Sequence, residues 1–236
     1  TSGAAGGAAG ARAEGRVVGH WQRKSGRLDS GRRSDVEPAL DVPPATRARQ
    51  IALALERLRL TPLPAAARFV TVNVPEFMLR AWEHEAGAVH EAFAMRVIVG
   101  KAVGTRTPLF DEDMLRIEFN PYWNIPPSIA RGETVPKLRA NPGYLATQGM
   151  EFVGPGGQTS SAVTPEMLDA VQAGQWRVRQ RPGRLNALGD IKFVLPNSQN
   201  IYLHHTPSVS LFSRERRDFS HGCIRIEEPV ALAQWV

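Results

Sequence analysis

The sequence predicts a mainly β domain, α+β in class, with short helices and an inserted lobe. Three observations lead there. Apolar residues alternate with period two in several separated segments, Pro and Gly punctuate the chain between them, and helical spacing is confined to short stretches.

In chain order, residues 1–15 contain only Thr, Ser, Gly, Ala, Arg and Glu, a mixture that cannot offset the entropy of ordering a backbone and reads as a flexible linker. Residues 17–42 hold few apolar side chains among Arg, Asp, Gly and Ser, so residues 1–43 form a flexible basic leader that Pro43-Pro44 ends. Within 44–64, Ala48, Ile51, Leu55 and Leu58 recur at spacings of three and four, which predicts a linking amphipathic helix. Arg47, Arg49, Glu56 and Arg57 occupy its other face, and its apolar side is expected to pack on the domain that follows.

From Phe69 the period changes to two. Val70, Val72 and Val74 alternate with Phe69, Thr71 and Asn73; Phe77–His84 and Glu91–Gly100 flank a hairpin turn at Glu85–Ala88; Met114–Phe119 is a further strand. The stretch 121–189 is rich in proline and reads as the lobe, with two short helices. One is capped by Asn141 and opened by Pro142; the other is capped by Thr164, opened by Pro165 and closed by Gly174. Strands return at Asp190–Leu195 and Ile201–His204, and Pro229–Val236 reads as the start of a helix. Both ends of the chain look cut, so an export signal is expected to lie upstream of Thr1 and the C-terminus to be truncated.

Composition narrows the function classes. The net charge of +6 resides in the leader: residues 1–60 carry 11 Lys/Arg against 6 Asp/Glu, and residues 61–236 carry 18 against 17. A nearly neutral body without Lys/Arg runs interleaved with aromatics argues against a nucleic-acid partner. No apolar stretch approaches the roughly 20 residues of a membrane-spanning helix, so no integral membrane segment is expected. The single cysteine, Cys223, excludes an internal disulfide and a multi-thiolate metal site, which leaves packing or reactivity.

Its neighbours favour reactivity. Three of the six histidines, His204, His205 and His221, fall with Cys223 inside the segments Y-L-H-H-T-P and S-H-G-C-I-R. A thiol is a nucleophile only as thiolate, and an imidazole within hydrogen-bond reach can take its proton and return it to a leaving amine. Gly222, lacking a side chain, lets a substrate carbonyl approach the main chain, where N–H groups can stabilise an oxyanion. The four side chains are also possible zinc ligands. Adjacent histidines on an extended segment point to opposite faces, however, so His204 and His205 are poorly placed to share one ion, and neither metal nor cofactor is expected.

Ser220-His221-Gly222-Cys223-Ile224-Arg225, preceded by His204, resembles the signature of the L,D-transpeptidase catalytic domain, also called the YkuD-like domain. R-Q-I-A-L-A-L-E-R-L-R, V-N-V-P-E-F, F-N-P-Y-W-N-I-P-P-S-I, V-R-Q-R-P-G-R-L-N-A-L-G and S-L-F-S-R-E-R-R-D-F resemble the larger Gram-negative members with a capping lobe, in order, over about residues 44–236. The resemblance implies a β-sandwich-like catalytic domain at 65–236 with 121–189 as its capping lobe. It implies Cys223 as nucleophile and His204 as general base, with His221, Gly222 and Ser220 shaping the turn and oxyanion site. Arg225 would lie near substrate carboxylates. Tyr122 and Trp123, with Arg177, Arg179 and Arg181, are candidates to line the cleft between sheet and lobe, with packing at the junction for the aromatics and a solvated strand face for the arginines as the alternatives.

The implied reaction forms a thioester on Cys223, expels D-Ala from a peptidoglycan tetrapeptide stem, and passes the acyl group to a second stem as a 3→3 cross-link, in the periplasm. Stem trimming by water, and a wall-binding protein without activity, are the alternatives. Carbapenem acylation is also expected. Close relatives tend to have His-Asp-Thr-Pro where this chain has His204-His205-Thr206-Pro207. The change is harmless if the main-chain carbonyl orients the base and costly if a carboxylate is needed. Trp21–Gly26 and Pro38–Pro43 faintly resemble the tail of a peptidoglycan-binding module.

Overall fold

The computed structural model describes the backbone of residues 16–18 and all of residues 42–61 and 63–236. The leader expected over 1–43, with its linker and module remnant, lies outside the described residues except at Arg16–Val18 and at residues 42 and 43. The backbone of Arg16–Val18 forms strand β1.

Helix α1 (Pro44–Leu60) begins at a proline, whose missing N–H is one the first turn leaves unpaired in any case. No residue of α1 is buried, and Leu53 and Leu55 stand 49% and 48% exposed. This corrects the expectation that its apolar side packs on the following domain. Arg47, Arg49, Arg57 and Arg59 crowd a narrow apolar stripe, and covering it would also desolvate guanidinium groups.

Strands β2 (Arg68–Asn73), β3 (Met78–Glu85) and β4 (Ala88–Gly100) form an antiparallel meander. Ala86 (φ 49°) and Gly87 (φ 81°) make the turn between β3 and β4, both in the left-handed region that a tight hairpin requires. The strand expected at Met114–Phe119 starts two residues later, as β6 (Arg116–Phe119), and a separate short strand, β5 (Asp111–Asp113), precedes the buried Met114. After the stretch 121–189 come β11 (Ile191–Val194), β12 (Leu203–His204), β13 (Asp218–Ser220), β14 (Ile224–Ile226) and α6 (Pro229–Trp235).

Among the described residues these strands form one ten-stranded sheet, in the order β5-β1-β2-β3-β4-β14-β12-β11-β6, with β13 paired to β4. The long β4 turns the sheet over: its first half pairs with β3, and its second with β14 and β13. Val70, Leu79 and Val97 from one half and Phe193, Leu203, Ile224 and Ile226 from the other then share one core, closed by Met114 and Leu232. The result is a β-sandwich-like fold. Arg217, 9% exposed, anchors the approach to β13 by donating to the main-chain carbonyls of Val97, Arg214 and Phe77 at 3.2, 2.7 and 3.1 Å.

A second core lies between β6 and β11 in sequence. Strand β7 (Trp123–Asn124) pairs with β10 (Arg177–Gln180), which pairs with β8 (Met150–Val153) and through it with β9 (Thr159–Ser160). Ile125, Leu138, Leu145, Phe152, Leu168 and Val178 are buried together there. Helix α5 (Pro165–Gln172) starts where the sequence places it, with Thr164 Oγ1 accepting from the Met167 N–H at 3.2 Å. Around Asn141 the helix begins later: Asn141 Oδ1 accepts from the Gly143 N–H at 3.0 Å, an Asx turn, and α4 spans Tyr144–Thr147. The sequence reading missed a helical run made of α2 (Pro127–Ile129), a π turn (Ala130–Thr134) and α3 (Val135–Ala140). The Val135 N–H reaches back to the Ala130 carbonyl, and this wider turn accommodates Pro136, which has no N–H to donate.

Candidate active site

Strand register assembles the site. β12 and β14 are parallel, with Leu203 opposite Ile224 and His204 opposite Arg225. Side chains alternate between faces, so Tyr202, His204, Cys223 and Arg225 share one face, and Leu203, Ile224 and Ile226 point into the core. On the same face Lys192 of β11 lies opposite His204, and Glu118 of β6 lies opposite Lys192. A polar row, Glu118, Lys192, His204 and Arg225, thus crosses four strands, and Cys223 sits diagonally to His204.

His204 is 4% exposed, and its Nδ1 is bonded to the main-chain carbonyl of His205. That bond leaves Nε2 as the acceptor nitrogen. Burial pushes its pKa down to about 3, helped by the Arg225 guanidinium and opposed by the carbonyls of His205 and Leu188, so the ring is neutral at rest. The His205 side chain turns away to pack on Gly189, with Nδ1 3.4 Å from Asp190 Oδ2. The main-chain carbonyl, which His and Asp supply equally, therefore contacts the histidine.

Cys223 Sγ donates to the Asn200 carbonyl at 3.6 Å rather than to His204. Asn200 is one of the non-glycine residues with positive φ, 55°, and the side chain of Asn197 holds its loop by accepting from the Gln199 and Ile201 N–H groups. Burial pushes the thiol pKa up; the Tyr202 main chain and hydroxyl, then Lys192 and Arg225, pull against it. The turn before the cysteine is tied internally and to the loop after β4. Ser220 Oγ donates to the Cys223 carbonyl at 2.6 Å, Thr105 Oγ1 to the Ser220 carbonyl at 3.0 Å, and Thr107 Oγ1 to the Gly222 carbonyl at 2.7 Å. Gly222 needs its φ of 122°, and its N–H donates to Ser220 Oγ at 3.1 Å, so it points into the turn rather than toward a substrate. Arg225 Nε is buried with no hydrogen-bond partner among the described residues.

A cleft of about 460 Å³ lies between the sheet and the second core, lined by Tyr122, Arg131 and Arg177 on one side and Lys192, Asn200 and Tyr202 on the other. Trp123 lines a second hollow, with Arg184 and Arg225, and its indole also reaches the Tyr202 hydroxyl, which contacts the thiol. Arg179 instead pairs with Glu151 at 2.6 Å and stacks on Tyr122, and Arg181 lines neither hollow. His221 faces the second core, 2.6 Å from Glu133.

Tyr202, Lys192, Asn200, Thr107 and Glu133 were missed from sequence. Tyr202 had a signal, two residues before His204 on a strand. The others depend on long-range pairing that sequence does not display. No group of three or more His, Cys, Asp or Glu among the described residues is arranged to hold a metal ion, and no described helix is long and apolar enough to cross a membrane.

Comparison with known proteins gives the same direction. The family model of the L,D-transpeptidase catalytic domain, YkuD, matches residues 67–236. A Haemophilus influenzae protein named "Putative L,D-transpeptidase" is 32% identical over 181 residues, which cover 77% of this chain and 36% of that protein. The chain thus spans about a third of that relative's length. With 170 of its 236 residues matched, and a Cys-His site on the sheet, the chain belongs to the L,D-transpeptidase catalytic domain family, which acts on peptidoglycan peptides.

Proposed function

We propose that this chain catalyses L,D-transpeptidation of peptidoglycan stems in the periplasm, with Cys223 as nucleophile and His204 as general base. The observation that carries the reading is their arrangement on one polar sheet face, His204 on β12 and Cys223 at the entry to the neighbouring β14, beside a cleft that the second core overhangs. The segment 121–189 serves as the capping lobe of a catalytic domain at 65–236, and residues 44–64 link it to what precedes.

Rotation of Cys223 about Cα–Cβ carries Sγ from the Asn200 carbonyl toward His204 Nε2, which takes the thiol proton. The thiolate attacks the carbonyl carbon at the L-centre of the third stem residue of the donor. As the tetrahedral adduct collapses, the C–N bond to D-Ala breaks, the leaving amine takes the proton from His204, and a thioester remains. The amine of an acceptor stem attacks the thioester, gives a proton to His204, and displaces the thiolate, which is reprotonated. The product is a 3→3 cross-link. His221, Gly222 and Ser220 shape the turn, and Arg225, Tyr122 and Trp123 contact substrate.

The test is incubation of the intact protein with disaccharide-tetrapeptides and mass spectrometry of the products. D-Ala loss with dimers is expected from the parent protein, no product from Cys223→Ala, and a loss of at least about 100-fold in His204→Ala. D-Ala loss without dimers would assign trimming instead; no product from the parent protein would end the reading. A carbapenem should add its mass to the parent protein and not to Cys223→Ala.

A further inference from the structure

The turn that carries the cysteine is held from two sides. On the sheet side, Thr105 and Thr107 bond the carbonyls of Ser220 and Gly222. On the other side the contact is His221 Nε2 to Glu133 Oε1 at 2.6 Å, and Glu133 stands on the π turn Ala130–Thr134 of the second core. Among the described residues this is the one carboxylate–imidazole contact joining that core to the catalytic sheet. The bonds of Asn186 Nδ2 to the Pro121 carbonyl at 2.8 Å and of Gln180 Nε2 to the Leu185 carbonyl at 2.6 Å stay within 121–189. The main chain joins that core to the sheet at one end, where the Asn120 N–H donates to the Asp190 carbonyl at 2.8 Å, and Glu133–His221 joins them through side chains elsewhere. The same π turn places Arg131 in the cleft wall, two residues from Glu133. Such turns are wider than the helix around them and recur at functional sites.

We propose that Glu133 is a positioning residue that, through His221, latches the lobe over the cleft and holds the turn of Cys223 in its reactive setting. Carboxylate and imidazole are 44% and 36% exposed, so the bond is strong enough to bias the lobe and weak enough to open for substrate. Lys137 Nζ, 3.8 Å from Glu133 Oε2, is the other charge facing the carboxylate. With the latch open, Trp123 withdraws from Tyr202 and the thiol becomes more accessible, while the turn loses its lobe-side tether. Reactivity toward a small probe and turnover of a large substrate should then move in opposite directions.

The experiment uses the full chain with Glu133→Ala and Glu133→Gln. Cys223, the chain's single cysteine, is alkylated with iodoacetamide and followed by mass spectrometry, beside kcat and KM for D-Ala release from a tetrapeptide stem. Glu133→Ala should alkylate about threefold faster and lose about threefold in kcat, the factor an exposed polar contact of this kind controls, with KM and melting temperature little changed. Glu133→Gln keeps an oxygen that accepts from Nε2–H and should restore most of both. It also removes the negative charge, so an effect of charge on the thiol would appear in Gln as in Ala. Unchanged alkylation in Glu133→Ala, the same change in Gln, or a fall in both readouts with a lowered melting temperature would overturn the proposal. The kinetic readout rests on the acyl-transfer reading; if the parent protein releases no D-Ala, that reading fails and alkylation alone still decides the latch.

Discussion

His204 illustrates how one buried side chain sets a pH range. Its pKa is pushed from 6.5 to about 3 in the folded chain, chiefly by burial, so the unfolded chain binds a proton more readily. The stability this contributes is complete above pH 6.5 and is lost as pH falls toward 3. At pH 5 the loss is about 2 kcal/mol, and His204→Gln should flatten the fall in melting temperature between pH 7 and pH 5. For Cys223, burial raises the pKa while Tyr202, Lys192 and Arg225 oppose it. Lys192 is held over the Tyr202 ring, 4.7 Å from its centroid, by Glu118 at 3.1 Å. Lys192→Met should shift the pH midpoint of Cys223 alkylation upward and slow the reaction several-fold at pH 8, with Lys192→Arg restoring it; an unmoved midpoint would exclude Lys192 from the thiolate's surroundings. The cysteine and histidine were legible in two short motifs. Lys192 was not, because its proximity depends on the pairing of β11 with β12.

Among the elements, the loop after β4 and the cysteine turn act as one unit. Thr107 Oγ1 accepts from the Gly100 N–H at 2.9 Å and donates to the Gly222 carbonyl, and Thr107 is 4% exposed. Thr107→Val keeps the shape and leaves two buried main-chain groups unpaired. It should cost about 2–3 kcal/mol in urea unfolding and slow Cys223 acylation by a carbapenem. This contact spans 115 positions, so no local pattern announces it. Local signals did place α5 and the β3–β4 hairpin, where a capping threonine and a glycine act on the backbone beside them. They failed at the run 127–140, where Pro126, Pro127 and Pro136 read as breakers. Two of these occupy positions without an N–H partner to lose, and the π turn relieves the third.

On the scale of the molecule, two cores lie on either side of one cleft. They share no buried residue: Phe152 belongs to the lobe's core and Leu79 to the sheet's. Phe152 is wholly buried, and Phe152→Ala should remove about 3–5 kcal/mol from the lobe. Hydrogen exchange should then rise across β8, β10 and α5 while the amides of β2, β3 and β4 stay protected. Equal loss of protection in both would mean that the cores unfold as one unit.

The sequence alone made legible a mainly β class, a proline-rich insertion, the motifs that hold Cys223 and His204, and the family to which they belong. These are written in contiguous residues whose spacing acts on neighbouring backbone. Only the folded chain shows that the His205 carbonyl contacts His204, that Gly222 turns its N–H inward, that α1 stays uncovered, that Lys192 and Tyr202 surround Cys223, and that Glu133 reaches His221 in the turn before it. Each of those outcomes depends on strand register or on packing between the two cores, and both are settled by contacts between residues far apart along the chain.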